Sequence, residues 1–361
     1  MRLYTSIIIV LSTILFSCNR EGNNEVINSS LPSLLRTKGY IVPPDSILPA
    51  DTTFIKNPTG FNVKKMPAVA MTTNQSNIPL SLKISRMSTT TRVIGEGETT
   101  IPNSFEFSEK HQIAGTPEQV LVKEPLYKEI NPGSFFYFNK MQGLLHDQIR
   151  ALVQDSIGNI WIGTDRGLSR YDGKFFYHYT DREGLPVSII NALFIDSHNN
   201  LWISTYDGGV TRYDGNFFTT ITTEEGLPHN LVNCIFEDKH GDIWFGTRKG
   251  LVKYEPGKLT VFTIENGLSA NDVRSIIEDG TGRMWIATYG GGISIYDGVS
   301  FSTFSSKEGL IQDHISLLFI DSKNNIWIST AFKGIIKYDG RALTTYTTRE
   351  GLGNNSIRSI L

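Results

Sequence analysis

Cysteine is nearly absent from this chain, which has only two among 361 residues. A fold stapled by disulfides is therefore excluded, and a packed apolar core must hold the protein together. Excess charge is lacking as well, because the formal net charge is only −2, which argues against a nucleic-acid partner. The seven histidines are scattered without the spacing of a zinc site, so we expect no metal and no cofactor.

Catalytic signatures are also missing. The sequence has no Gly-x-Ser-x-Gly motif, no phosphate-binding loop and no constellation of paired carboxylates. Its Asp-containing turns, such as residues 155–159, lack the alternating carboxylates and the terminal Glu of an EF-hand, so we interpret them as hairpin turns. We therefore predict no catalytic residues and no enzyme activity.

What the chain does have is a tryptophan at a fixed period. The intervals between successive tryptophans are 41, 42, 41 and 42 residues, and a Gly-Leu pair keeps the same period. The tryptophans are Trp161, Trp202, Trp244, Trp285 and Trp327, and the glycines are Gly143, Gly184, Gly226, Gly267, Gly309 and Gly351. A period just above forty indicates one supersecondary unit that is repeated and cannot bury its apolar surface alone.

Each unit reads as four short strands joined by tight turns. In the copy that starts at Gly184, the four runs are 190–195, 201–205, 210–213 and 217–221. An Asp-Gly pair between the last two runs favours a hairpin, and no run has a helical period. An antiparallel unit of this size is typical of a propeller blade. The predicted fold class is all-β, a β-propeller with five complete blades and the first strand of a sixth.

The tryptophans themselves are predicted to pack between blades. Each lies inside a strand, next to Ile or Phe, and a small residue follows two positions later, as Gly163 follows Trp161. A small residue suits a place where neighbouring blades approach closely. A binding cage of five aromatic rings is the alternative interpretation.

The array is incomplete at both ends. The copy that starts at Gly351 contains only a first strand, and residues 135–138 read as a fourth strand without the other three. A closed ring places its first and last strands in one blade and so removes the open edges. We therefore interpret the chain as a truncated product or a fragment of a longer gene product.

The N-terminus, residues 1–18, is predicted to be a lipoprotein signal peptide. A positive Met1-Arg2 start precedes an apolar stretch that is too short to span a bilayer. Residues 15–18, Leu-Phe-Ser-Cys, resemble a bacterial lipobox, in which Cys18 is acylated and anchors the protein to the lipid bilayer. An ordinary secretory signal with an incidental cysteine is the alternative. The other cysteine, Cys234, is expected to be a buried small hydrophobe.

Composition divides the rest of the chain in two. Residues 19–134, rich in Pro, Ser, Thr and Asn, are predicted to be a tether and an irregular lead-in, with a strand along the ring at 120–125. Residues 135–361 are predicted to be the incomplete set of propeller repeats.

The repeated unit resembles the two-component regulator propeller repeat. It reads Gly-Leu, an apolar strand, Asp-x-x-Gly-x-Ile/Leu-Trp-Ile/Phe-Gly-Thr, Gly-Gly-Ile/Val and Arg/Lys-Tyr-Asp-Gly, and its copies cover about 60% of the chain. Residues 114–117 and 140–149 also resemble the lead-in of Bacteroidetes lipoproteins of this kind. The resemblance implies a seven-bladed propeller that acts as an extracytoplasmic sensor, often fused to a histidine kinase.

Length variation points to one candidate binding face. The spacing from Gly to Trp is 18 residues in all five copies, whereas the spacing from Trp to the third strand is 7, 8, 7, 8 and 8. Variation confined to one face of a regular scaffold is where function usually lies, although neutral drift of the loops is the alternative. The candidate ligand-binding residues in these loops are Arg166, Tyr206, Asp207, Arg248, Lys249, Tyr289, Phe332 and Lys333, and those in the Gly-Leu turns are His146, His229 and His314.

These features predict a non-catalytic sensor or ligand-binding module on the cell envelope, facing the periplasm or the cell surface. Its partner would be a small molecule or glycan, or a protein such as a sensor kinase. A passive scaffold for protein interactions is the first alternative. A propeller enzyme like the streptogramin lyases is the second, which would need a catalytic His near a metal in the channel.

Overall fold

The repeats form blades, as predicted, in a computed structural model of the chain. The structure describes residues 84–85, 87, 89–94, 96, 98–123, 126–127, 136–186, 189–357 and 359–360. The predicted signal peptide with Cys18, and the tether up to residue 83, lie outside the described residues.

Seven short strands precede the blades. They are β1 (Ile84–Ser85), β2 (Thr90–Val93), β3 (Asn103–Glu106), β4 (His111–Ile113), β5 (Glu118–Leu121), β6 (Leu126–Tyr127) and β7 (Phe136–Tyr137). The 3-10 turns of the described part are Lys140–Gln142, Asp181–Glu183, Ile264–Asn266, Ser306–Glu308 and Thr348–Glu350. Each of these turns begins at a side-chain cap and ends at the Gly of a Gly-Leu pair, which adopts a positive φ.

Each blade contains four antiparallel strands that follow one another in the chain. Blade 1 has β8 (Ile149–Gln154), β9 (Ile160–Thr164), β10 (Gly167–Tyr171) and β11 (Phe175–Tyr179). Blade 2 has β12 (Ile190–Ile195), β13 (Leu201–Thr205), β14 (Val210–Tyr213) and β15 (Phe217–Ile221). Blade 3 has β16 (Val232–Glu237), β17 (Ile243–Thr247), β18 (Gly250–Glu255) and β19 (Lys258–Phe262). Blade 4 has β20 (Val273–Glu278), β21 (Met284–Thr288), β22 (Gly292–Tyr296) and β23 (Ser300–Phe304). Blade 5 has β24 (Ile315–Ile320), β25 (Ile326–Thr330), β26 (Ile335–Tyr338) and β27 (Leu343–Tyr346).

The first strand of each blade forms its inner edge. The first strands of successive blades contact one another, whereas the fourth strands lie at the opposite edge of their sheets. The protein is therefore an all-β propeller array.

Every blade also has a fifth strand, which the repeat pattern does not predict. Strands β1 to β5 pair antiparallel with the fourth strands β27, β23, β19, β15 and β11, in that order. We call the described residues from Ile84 to Leu121 the outer belt. The prediction of an irregular lead-in is wrong for these residues, whereas the strand predicted at Val120–Pro125 is present as far as Leu121. The outer belt covers the edge that a blade would otherwise leave open.

The outer belt visits the blades in reverse order for a geometric reason. Ala114 donates its N–H to the Asn216 carbonyl at the start of β15 (2.8 Å), and the next residue, Gly115, donates to the Glu183 carbonyl beyond the end of β11 (2.8 Å). The last strand of one blade thus begins close to where the last strand of the preceding blade ends. An antiparallel partner can therefore pass directly from one blade to the one before it.

Four of the five tryptophans pack against a tyrosine of the next blade, which confirms that prediction for blades 1 to 4, whereas the described ring contact of Trp327 is with Tyr346 of its own blade. Trp202 of blade 2 lies 5.1 Å from Tyr254 of blade 3, and Trp161 lies 5.9 Å from Tyr213 of blade 2, measured between ring centroids. The core cluster around Trp202 likewise joins residues of blades 2 and 3. Burial of this apolar surface is the main favourable term that holds successive blades together.

The small residue after each tryptophan also has the predicted role. A Cβ atom on Gly163 would lie 2.5 Å from Ile190 of the next blade. One on Gly246 would lie 2.5 Å from the Sγ of Cys234 and 2.7 Å from Val273 of the next blade. Any larger side chain at these positions would push adjacent blades apart. Cys234 is free and buried, as expected.

The two incomplete ends of the repeat array differ in their secondary structure. Strand β7, which matches a fourth strand, pairs with β6 just as the other fourth strands pair with the outer belt. The sixth copy keeps its turn, since Gly351 has a φ of +97° and Thr348 donates its N–H to Asn355 Oδ1 at 2.8 Å. No strand is assigned among the described residues after Tyr346.

Candidate functional site

The variable loops lie at the inner edge of the blades. The N–H at the start of each loop donates to the carbonyl of the residue just before the first strand of the same blade. The pairs are Asp165 to Gln148 (3.3 Å), Tyr206 to Ile189 (2.9 Å), Arg248 to Leu231 (3.3 Å), Tyr289 to Asp272 (2.8 Å) and Ala331 to His314 (2.9 Å). The loops and the Gly-Leu turns therefore share one end of the blades, as predicted. We call this end the loop face and the opposite end, with the Asp-containing turns, the turn face.

The one-residue insertions in blades 2, 4 and 5 have a structural consequence. In these blades the loop reaches the following Gly-Leu turn, since the N–H groups of Gly209, Gly292 and Gly334 donate to carbonyls there at 2.8 to 3.1 Å. Gly209 has a φ of +75°, and a Cβ atom on it would lie only 2.1 Å from the Ile221 carbonyl oxygen. Only glycine can therefore make this close turn.

Aromatic and charged candidates are exposed on the loop face. Tyr206, Tyr289 and Phe332 have 55%, 40% and 63% of their surface accessible. The other exposed candidates in the loops are Arg166, Asp207, Arg248, Lys249 and Lys333. Within the described residues no hydrogen bond, ion pair or ring contact joins the loop candidates of different blades to each other, so their convergence on one ligand stays a prediction.

The structure does bring Tyr289 and His314 together. Their ring centroids are 4.4 Å apart in a T-shaped contact, and the two residues also form a backbone bridge. The Arg274 guanidinium lies over the Tyr289 ring, 4.9 Å from its centroid, and pairs with Asp272 at 2.7 Å. Blades 4 and 5 therefore share a cluster that combines an aromatic platform with a held cation.

The other two histidine candidates support their own turns. The Nδ1 atom of His229 accepts a hydrogen bond from the Leu231 N–H at 2.8 Å, and that of His146 accepts from the Gln148 N–H at 3.1 Å. A ring nitrogen that accepts from a backbone N–H is not available to a ligand. These two histidines therefore hold the loop-face turns in shape.

Arg166 lines a cavity of about 490 Å³ on the loop face of blade 1, together with Asp165, His178 and Glu118 of the outer belt. His178 donates its Nε2–H to the Gly143 carbonyl at 3.0 Å, so its Nδ1 accepts from the Ser169 hydroxyl at 2.9 Å. Burial lowers the pKa of His178, which keeps the ring neutral in this position.

Sequence reasoning missed one regular set of polar residues. The first strand of every blade contains a β-bulge near its loop-face end, and the extra residue is polar in all five copies. These residues, which we call the bulge ring, are Arg150, Asn191, Asn233, Arg274 and Ser316. The signal that could have revealed them is a polar residue at the second position of each first strand, between mainly apolar neighbours.

On the turn face, by contrast, each Asp carboxylate is saturated from within its own turn. Asp279 accepts from the indole Nε1 of Trp285 at 2.9 Å and from the backbone N–H groups of Thr281 (2.9 Å) and Arg283 (3.1 Å). Burial alone would raise the pKa of Asp279, but these hydrogen bonds lower it. The same indole-to-carboxylate bond recurs in the other four blades. The hairpin-turn interpretation is therefore confirmed, and in the described part no cluster of His, Cys, Asp or Glu could hold a metal.

Comparison with known proteins identifies the repeats. Residues 143–166, 184–207, 226–249 and 267–290 match the sequence model of the two-component regulator propeller repeat. Each matched segment runs from a Gly-Leu turn into the variable loop. The chain therefore carries two-component regulator propeller repeats, as the sequence pattern indicates. A search of curated proteins returns no match.

A solved structure extends this finding. The extracellular domain assigned to a hybrid two-component system of B. thetaiotaomicron is 27% identical, with a TM-score of 0.51. The alignment covers 67% of this chain and 32% of that one, so this chain corresponds to about a third of that domain. The chain is thus similar to the extracellular part of a two-component regulator. In the described residues no helix is long and apolar enough to cross a membrane.

Two further structures are more distant. Another extracellular domain of B. thetaiotaomicron, assigned to a one-component system, is 21% identical with a TM-score of 0.36, over 60% of this chain and 41% of that one. Virginiamycin B lyase of Staphylococcus aureus is 12% identical with a TM-score of 0.47, over 73% of this chain and 88% of that one. Neither likeness bears on the function of this chain.

Proposed function

We propose that this chain is an extracytoplasmic, non-catalytic ligand-binding module of a two-component signalling system. The observation that carries the proposal is the set of regulator propeller repeats, together with the likeness to a two-component extracellular domain. A glycan or another polar small molecule is the proposed ligand, and a sensor kinase is the proposed protein partner. Lipidation of Cys18 would anchor the module to a membrane of the cell envelope.

The loop face is the proposed binding surface. It combines exposed aromatic rings with exposed Arg and Lys side chains, which suit ring stacking and charge-assisted hydrogen bonds. On the turn face, the Asp carboxylate of each blade is already bonded to the indole of the following Trp. A passive scaffold remains the second candidate, because exposed aromatic side chains such as Phe332 also suit a protein partner.

The test is to probe glycan and small-molecule arrays with the full chain and with two variants. Tyr206→Ala removes an exposed aromatic ring from the loop face, whereas Ile157→Ala removes an exposed apolar side chain from the turn face as a matched control. We expect the first variant to lose at least part of the binding and the second to bind like the parent. The opposite result would place the binding surface on the turn face.

Anchoring is tested separately by fractionation of cells that express the Cys18→Ala variant. We expect the variant to leave the membrane fraction and to remain unacylated, because the proposed lipid modification starts at that thiol. A variant that remains membrane-bound like the parent would contradict the lipoprotein proposal without touching the sensor proposal.

A further inference from the structure

The outer belt contacts the linkers between the blades as well as the blades themselves. We call each linker, from the end of one blade to the first strand of the next, a junction; it begins with the turn before a Gly-Leu pair. The bonds run from the Thr90 hydroxyl to Glu308 (2.9 Å), from the Thr100 N–H to the Glu265 carbonyl (2.7 Å), from the Lys110 ammonium to Glu225 (3.4 Å) and from the Gly115 N–H to the Glu183 carbonyl (2.8 Å). One continuous segment is therefore attached to all four junctions among the five blades.

Two of these junctions are also bonded to a variable loop. In blade 2, the Gly209 N–H donates to the Asn230 carbonyl at 3.1 Å. In blade 4, the N–H groups of Gly290 and Gly292 both donate to the Asp313 carbonyl, at 3.0 and 2.9 Å. A variable loop and the outer belt thus hold the same junction at two different places.

The junction between blades 4 and 5 contains a continuous series of hydrogen bonds. The Asp313 carboxylate accepts from the N–H and the hydroxyl of Ser306, which is the first residue of the 3-10 turn. Glu308, the last residue of that turn, accepts from the Ser305 N–H with one oxygen (2.9 Å) and from the Thr90 hydroxyl with the other. The series leads from the variable loop of blade 4, through the turn, to strand β2 of the outer belt.

Strand β2 is suited to respond to a change at this junction. Its first three residues are exposed, and it is attached to blade 4 by antiparallel pairing with β23 alone among the blade strands. An exposed strand with few buried contacts belongs to the part of a fold that opens locally at low cost. Coupling between separated sites is carried by contiguous hydrogen-bond networks that end on such an element.

We propose that the outer belt is a strap whose strand β2 is coupled to the variable loop of blade 4 through the junction between blades 4 and 5. A rearrangement of the loop loosens β2, and loosening of β2 frees the loop. Along the chain, β2 lies between the predicted tether and the blades, so the strap connects the loop face with that part of the chain. The inference goes beyond ligand binding and does not require it, because the coupling belongs to the free protein.

The test is hydrogen exchange of the full chain, measured by mass spectrometry, in two matched variants. Thr90→Val and Thr91→Val each keep a β-branched side chain and remove one hydroxyl bond of β2. The Thr91 hydroxyl, however, is bonded to Ser302 of the neighbouring strand at 2.8 Å, not to a junction. We expect Thr90→Val to speed amide exchange across residues 289–314 at least about threefold and Thr91→Val to leave it unchanged. Equal effects of the two variants, or an effect confined to β2, would overturn the proposal.

Coupling is reciprocal, so a change in the junction must reach the outer belt. Asp313→Ala removes the carboxylate that holds the turn, and we expect it to speed the exchange of Thr90–Val93 at least about threefold. Asp214→Ala is the control, because Asp214 likewise accepts two backbone N–H bonds, at 2.9 and 2.8 Å, but in a hairpin of blade 2. Exchange in β2 that is unchanged in Asp313→Ala, or raised equally in both variants, would contradict the strap.

The junction between blades 3 and 4 supplies a contrast within the same chain. The Thr100 hydroxyl accepts from Asn266 Nδ2 there at 3.0 Å, but among the described residues no backbone hydrogen bond joins the shorter loop of blade 3 to this junction. Thr100→Val should therefore leave the exchange of the loop with Arg248 and Lys249 unchanged. Faster exchange of that loop in Thr100→Val, or of every blade in Thr90→Val, would indicate a general loss of stability and would overturn the specific coupling.

Discussion

The two faces of the blades differ in how much of the repeat stays the same from blade to blade. On the turn face, one Asp carboxylate per blade holds the turn and the indole of the following Trp, at 2.8 to 3.0 Å in all five copies. On the loop face, length, charge and aromatic content differ from blade to blade. The repeat thus keeps one side-chain contact identical in every blade at the turn face and lets the loops at the other face vary, which is the division expected of a binding scaffold.

The hydrogen bonds between neighbouring blades also differ between the two faces. Ser197 of the blade 2 turn donates its N–H to Glu237 at the end of the inner strand of blade 3, at 2.8 Å. Lys239 donates in the same way to Glu278 of blade 4, at 2.7 Å. On the turn face, side-chain carboxylates therefore join one blade to the next, whereas on the loop face backbone N–H groups such as that of Gly209 bond to the following turn.

The largest effect should come from breaking the packing that the turn face organises. Trp202→Ala removes a buried ring that packs on Tyr254 of the next blade and whose Nε1 donates to Asp196 at 2.8 Å. We expect a loss of about 3 to 5 kcal/mol in the free energy of unfolding. Urea unfolding followed by tryptophan fluorescence measures it. A loss below about 1 kcal/mol would mean that Trp202 is not part of the core.

A smaller loss should follow from weakening the two inter-blade bonds that Glu237 accepts from Ser197. Glu237→Gln weakens the acceptor of Ser197 while it keeps the size of the side chain, and Glu237 is only 2% exposed. We expect a loss of about 1 to 3 kcal/mol in the free energy of unfolding. Glu224→Gln, at an exposed loop-face turn, is the control and should change stability little. Equal losses of stability in both variants would contradict the proposed difference between the two faces.

The turn-face carboxylates also predict how stability depends on pH. The hydrogen bonds to Asp279 lower its pKa although burial opposes them, so the unfolded chain binds a proton more readily than the folded one. The stability from Asp279 is thus present above the unfolded pKa, about 3.9, and is lost as the pH falls through the lower folded value. We expect the parent to exceed Asp279→Asn by about 1 kcal/mol near neutral pH, with the gap closing in acid. Chemical unfolding across that pH range measures the difference in stability between the parent and the variant. A difference that grows in acid would contradict the prediction.

The smallest effect on stability is expected on the loop face. Tyr206→Ala should change the free energy of unfolding by no more than about 0.5 kcal/mol, because the ring is 55% exposed and makes no described contact. The same variant should bind ligand more weakly. Parallel measurements of thermal unfolding and ligand titration separate the two effects. A destabilised Tyr206→Ala would show that the loops also hold the blades together.

Much of the scaffold could be predicted because its signals repeat. The Trp period, the Asp before each Trp and the small residue after it are each enforced by a contact that recurs in every blade, such as the bond from Trp285 to Asp279. Even the loop face followed from the spacing, since only one segment of the unit changes length. Single sites such as the cluster of Arg274, Tyr289 and His314 could not be predicted, because its members come from different loops and strands.

The outer belt, unlike the blades, has no repeated sequence signal that predicts it. Strand β3 has all four residues exposed, so it has no alternation of apolar and polar residues for a pattern to detect. It is held mainly by backbone hydrogen bonds to β19, which any sequence without proline can make. The specific side-chain contacts of the outer belt, such as the pair of Glu109 and Arg212 at 3.1 Å, join residues more than one hundred positions apart.

The sequence by itself determined the repeat, the number of complete blades, the packing of the tryptophans and the face on which variation is allowed. These follow from local periodicity, because each blade buries its apolar residues against a near-copy of itself. Only the tertiary structure decided that the lead-in becomes a fifth strand on every blade and that five bulges set polar side chains beneath the loops. Backbone pairing depends on which segments meet in space. The polar second residue of each first strand marks the bulge position, but the local sequence does not say which groups that residue will face.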